Sequence, residues 1–139
     1  MSMSQKVSVQ EALLYVMVTM SAADSAMPDN ELHSIGDLVK GLPVFAGFDG
    51  DSIIRVAQAC GELLQDPDGL DKILDLIAES LPHRLYDTAY ALAVEVAAAD
   101  GDVPDEELRL LELLRDRLSL DKLTVAAIER SAQARFRVA

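Results

Sequence analysis

Apolar residues recur at helical spacing along most of this chain, and no segment alternates as a half-buried strand would. A first helix is predicted from about Ser8 to Ala23, with Ser8 as its cap and Val9, Leu13, Val16 and Met20 on one face. A second runs from Pro28, suited to a first helical turn, to Gly41, with Leu32, Ile35 and Leu38/Val39 as its stripe. Residues 41–52, GLPVFAGFDGDS, hold three glycines and a proline and read as a loop whose Phe45 and Phe48 fold back onto the core. Asp51 is the expected cap of a third helix with Ile53, Ala57, Cys60 and Leu64 inward. After the turn Asp66-Pro67-Asp68-Gly69, a fourth helix carries Leu70, Ile73, Leu74, Ile77 and Leu81 as an amphipathic stripe.

Pro82 opens or interrupts the next segment, and a fifth, alanine-rich helix follows to about Asp100. Its small residues suit close approach by neighbours, which places it at the centre. A sixth helix is expected from Pro104 to about Leu118, with Leu108, Leu111 and Leu114 inward. Ser119 or Asp121 caps a seventh bearing Leu123, Ala127 and Ile128, and Arg130, Arg135 and Arg137 near its end complement the helix dipole.

Composition agrees with helices. Half of the 139 residues are apolar, yet aromatics make up only 4% and there is no Trp. The core must come from Leu, Ile, Val, Ala and Met, which favour packed helices over a pleated surface. The length fits one domain spanning residues 1–139.

The formal net charge of −12 narrows the partners. Such a field repels phosphate backbones and anionic lipid, so nucleic acid and membrane surfaces are not expected. Cations and basic protein surfaces are. The single cysteine, Cys60, permits no internal disulfide and fits a reducing cytoplasm. The first residues lack the basic segment of a signal peptide, and no apolar run is long enough to cross a bilayer. A soluble cytoplasmic protein is the expectation. Nothing in the sequence sets an oligomeric state.

The most informative feature is an internal repeat. MVTMSAADSAMPDNEL, residues 17–32, aligns with AVEVAAADGDVPDEEL, residues 93–108, at an offset of 76, and eight of the sixteen positions are identical. The matches include Asp24/Asp100, Pro28/Pro104, Asp29/Asp105 and Glu31/Glu107, so the agreement extends beyond apolar phase. Two halves are expected, about residues 8–66 and 67–136, each with a helix, an acidic turn and a second helix.

The turn Asp100-Gly101-Asp102-Val103-Pro104-Asp105-Glu106-Glu107 matches the second half of an EF-hand calcium loop. Asp100, Asp102 and Glu107 stand at ligand positions and Gly101 at the sharp bend. The first half of that loop is missing, because Val96 and Ala98 fall where ligands are needed. One copy therefore falls short of the six to eight oxygens calcium takes. Asp24 and Glu31 of the other copy add to the set if the two turns meet, although Ser25 and Ala26 replace its glycine and second acid. The same residues equally describe a metal-free tight turn: Gly101 ends one helix, and Pro104 with acids in the first turn begins the next. Both readings stand. Calcium or another divalent cation is the only cofactor the sequence suggests, and none is required.

Other chemistry is sparse. His33 and His83 have no Cys or His at metal spacing. Cys60 sits on an apolar stripe and reads as a small buried hydrophobe. Met17, Met20 and Met27 read as core. No nucleophile–base grouping or phosphate loop is present, so no enzyme is expected.

AAADGDVPDEEL, its degenerate earlier copy and seven helices in about 140 residues resemble the tellurite-resistance TerB-like family, which includes the cytoplasmic domain of a membrane-anchored DnaJ-type co-chaperone. The resemblance covers roughly residues 9–136. It implies an all-α bundle of about seven helices with a pseudo-twofold repeat and acidic residues between paired helices. Residue by residue, the family's acidic positions fall on Asp24, Glu31, Asp100, Asp102 and Glu107. It further implies a non-enzymatic module acting through protein partners in tellurite or stress resistance, with divalent-cation binding at the acidic turns as the alternative.

Overall fold

The computed structural model describes residues 6–22, 29–99, 103 and 105–139. Seven α-helices and no strand are found among them: α1 Val9–Ser21, α2 Asp29–Gly41, α3 Ser52–Leu64, α4 Gly69–Ser80, α5 Tyr86–Ala98, α6 Asp105–Arg117 and α7 Lys122–Arg135. Short 3₁₀ turns at Pro43–Phe45 and His83–Leu85 join α2 to α3 and α4 to α5. The all-α class is as the periodicity predicts.

Local chemistry explains several of the boundaries. Ser8 Oγ accepts from the Glu11 amide and Glu11 Oε1 accepts from the Ser8 amide, both at 3.1 Å, a reciprocal capping box that starts α1. Asp121 Oδ1 accepts from the Thr124 amide at 2.7 Å and caps α7. Ser119, the other candidate cap, instead takes a positive φ of 54° where α6 ends. Asp51 does not cap α3 with its side chain. Its own amide donates to Asp49 Oδ1 at 3.0 Å, so the aspartate two residues earlier shapes the turn. Gly69 is needed where α3 turns into α4, since a Cβ there would sit 1.9 Å from the Leu63 carbonyl oxygen.

Two helices form the interior. Every residue of α1 from Ala12 to Ser21 is buried, so this helix is apolar nearly all round rather than on one stripe. It packs against α5 and α3 most extensively, and also against α4 and α2. The centre expected for α5 alone is shared by α1 and α5. On α5, Ala89, Ala93 and Ala97 are fully buried at four-residue spacing, and small residues let helix backbones come close. Helices α6 and α7 both lean on α5. Phe45 is buried and meets Phe48 edge to face at 5.9 Å, so the glycine-rich loop folds back as expected. Gln10 Nε2 holds that loop by donating to the Val44 and Ala46 carbonyls at 3.2 and 3.3 Å.

One apolar position, Leu108, is not where the pattern puts it, and two apolar residues of α7 face solvent. Leu108 is 49% exposed, and the inward stripe of α6 is Glu107, Leu110, Leu111, Leu114, followed by Leu118. Leu111 and Leu114 are inward as the pattern predicts, while Glu107 and Leu110 take the place of Leu108 as α6 packs on α5 and α4 at once. Leu123 is 80% exposed and Ala127 is also exposed, since α7 rests on the core through the face of Ile128 and the buried Ala132. Arg117 ties α6 to α4 through ion pairs to Asp71, at 3.5 Å, and Asp75.

Leu13 has no exposed surface, so Leu13→Ala leaves a cavity and is expected to cost about 2–5 kcal/mol. The same truncation at Leu123 is expected to change stability by no more than about 0.5 kcal/mol. Urea denaturation of the two variants checks the assignment of inner and outer leucines.

Candidate functional site

Of the five candidate ligands Asp24, Glu31, Asp100, Asp102 and Glu107, only Glu107 has a described side chain. Asp24, Asp100 and Asp102 lie outside the described residues, as does the Glu31 side chain. Glu107 lies in the first turn of α6 and is 6% exposed, the only buried charged side chain among the described residues. No group of three or more His, Cys, Asp or Glu side chains able to hold a metal occurs among those residues.

The geometry draws attention to the faces around the end of α5. Helices α6 and α7 both rest on α5 but make little direct contact with each other, which leaves a groove between them. Each helix contributes one strip at helical spacing: Val94, Ala97 and Ala98 from α5; Leu108, Leu111, Glu112 and Arg115 from α6; Glu129, Ala132, Gln133, Phe136 and Arg137 from α7 and its end. The volume is about 660 Å³. Alanines at 97, 98 and 132 keep the floor deep, and the half-exposed Leu108 forms one wall.

A polar clamp spans the groove. Tyr90 of α5 donates its hydroxyl to Glu129 Oε2 of α7 at 2.5 Å, and Arg115 Nη1 of α6 reaches that hydroxyl at 3.3 Å and the same carboxylate oxygen at 3.4 Å. The three side chains set the spacing of α6 and α7 over α5. Burial, then the hydrogen bond to Glu129, pushes the Tyr90 phenol up to about 12.

On the other side of α5, Arg135 holds Glu95 with two contacts, at 2.8 and 3.1 Å, and lies over the Phe136 ring at 5.5 Å. Arg135, one of the three arginines expected to serve the α7 dipole, stands in the last turn of that helix and also engages α5. A second, smaller cleft of about 320 Å³ lies here, lined by Ser21, Ser34, Ile35, Asp37, Leu38, Glu95, Val96, Ala99 and Phe136. Phe136 lines both hollows.

Nucleophilic chemistry has no foothold at Cys60. Its thiol is fully buried on α3, 3.4 Å from Thr19 Oγ1 of α1, and burial raises its pKa to about 11. His33 and His83 are both exposed, and His83 packs its ring on Tyr86 at 4.8 Å. Met17 and Met20 are core.

The sequence pattern overlooks the groove because it treats each helix as having one buried stripe. Leu108, Ala98 and Phe136 belong to second faces that only the arrangement of three helices brings together. The excess of alanine in α5 is the one signal that points to them.

Burial is the largest cause raising the pKa of Tyr15, Tyr90 and Cys60 alike. A folded pKa above the unfolded one stabilises fully below the unfolded value and loses that contribution as pH rises through the folded value. Folding stability is therefore expected to fall between about pH 9 and 12, and to fall less steeply in Tyr90→Phe. Denaturation at stepped alkaline pH, with tyrosinate absorbance as a second probe, measures this. No family model matches the chain, nor does any curated protein or solved structure.

Proposed function

We propose that this chain is a non-enzymatic TerB-like module of tellurite or stress resistance that works by holding a helix of a partner protein in the groove between α6 and α7. The observation that carries the reading is the groove itself. Two helices stand apart over an alanine floor, with Leu108 half exposed on the wall and charged residues at the rim. Exposed apolar surface set in a polar rim marks an interaction site, and an amphipathic helix is the ligand such a trough accepts. The net charge of −12 favours a basic partner through its long-range field.

The two-copy reading is part of the proposal. In its support, α2 and α6 have the same length and start 76 residues apart, the offset of the sequence repeat. Helix α1 packs on α3 much as α5 packs on α7, with α1 and α5 against each other at the centre. The family resemblance rests on those paired hairpins and on the acidic turn ahead of α6.

Complementation tests the reading. A strain lacking the gene is expected to lose tolerance to tellurite and to regain it with the wild-type chain or Leu123→Asp. Leu108→Asp, which alters a half-exposed side chain and is expected to cost no more than about 1 kcal/mol of stability, should accumulate normally and fail to restore tolerance. Unchanged tolerance in the deletion strain removes the tellurite role. Full rescue by Leu108→Asp removes the groove.

The burial of Glu107 favours a second reading, a divalent cation bound at the acidic turns. Calcium or manganese titration followed by NMR is then expected to shift the Gly101 and Glu107 amides selectively, with the response lost in Glu107→Gln. Absence of any site-specific change at millimolar cation disposes of it.

A further inference from the structure

The smaller cleft, on the opposite side of α5 from the groove, has a chemistry of its own. Its wall is mainly apolar, from Leu38, Val96 and Phe136 among others, and its volume of about 320 Å³ suits a compact molecule. The charge around it is negative. Helices α1 and α5 both end at this cleft, at Ser21 and Ala98, and neither has a basic residue in its last turn. Each helix end carries a partial negative charge from carbonyls without helical partners. Glu95 is already paired with Arg135, but Asp37 makes no ion pair among the described residues.

One polar atom is unaccounted for. Ser21 is 4% exposed, and its Oγ has no hydrogen-bond partner among the described residues. A buried hydroxyl left unpaired costs free energy, and native structures leave few of them. Ser21 is also one of the residues lining the cleft.

We propose that this cleft binds a small organic cation: a primary ammonium carried on a short apolar body. The ammonium donates to Asp37 and to the Ser21 hydroxyl, within the field of the two helix ends. The hydrocarbon lies on Val96, Leu38 and Phe136. A bare divalent metal fits less well. One free carboxylate and a largely apolar wall fall short of the six to eight oxygens that calcium takes. An alcohol of the same shape meets the apolar wall but not the charge.

Titration of the whole chain with n-hexylammonium chloride, followed by amide shifts in NMR, tests this. The expected result is saturable binding that moves Val96, Ala99 and Phe136, while n-hexanol at equal concentration gives no saturable change. Asp37→Asn and Ser21→Ala should each weaken binding about tenfold, the size of a lost charge-assisted hydrogen bond. Asp37 is exposed, so its variant is expected to fold as the wild type does. Binding of hexanol as tight as the amine, unchanged affinity in Asp37→Asn or Ser21→Ala, shifts confined to the α6–α7 groove, or no saturable response to the amine would each overturn the proposal.

Discussion

The burial of α1 on every side governs the rest of the structure. A helix with Leu13, Leu14, Met17 and the residues between them out of solvent must be surrounded, and α2, α3, α4 and α5 surround it. Hydrophobic burial is the dominant favourable contribution to folding, so a thirteen-residue helix without a solvent face sets where its neighbours lie. Helix α5 is the one neighbour that is itself central. Its buried alanines supply little volume, which lets α1 on one side and α6 and α7 on the other approach closely.

The clefts follow from that choice of small residues. Alanine at 97, 98 and 132 permits close contact of α5 with its neighbours but cannot fill the space between α6 and α7. The Tyr90–Arg115–Glu129 clamp holds those two helices at a set separation, so the groove persists as a shaped surface. At the end of α5, Arg135 performs a comparable task by fixing Glu95 and lying over Phe136. The polar side chains thus determine spacing, while the apolar ones determine which helices are inside.

Much of this arrangement is legible along the chain. The stripe of α4 at Leu70, Ile73, Leu74 and Ile77 and the cap at Ser8 correspond to what periodicity and capping chemistry predict. So do the turn at Gly69 and the burial of Cys60. The error in α6 has one cause. Leu108 is a leucine at plausible helical phase, and a pattern read on one helix assigns it inward. Burial is decided by the two or three helices that touch each face. In α6 those neighbours keep Leu111 and Leu114 inward but bury Glu107 and Leu110 in place of Leu108. Asp51 fails as a cap for a separate, local reason: its backbone is already helical, at φ −67° and ψ −18°, where a capping residue is extended.

The amino-acid sequence by itself determined that the protein is built of helices, roughly where each begins and ends, and that its surface field is strongly negative. Those properties depend on neighbours within a few residues or on a simple sum of charges. Tertiary structure alone decided which face of α6 and α7 is buried, that Phe136 stands between two hollows, and that Ser21, beside one of them, is left without a hydrogen-bond partner among the described residues. Each of these depends on contacts between residues far apart in the chain, and helical periodicity carries no information about which distant surface a given face will meet.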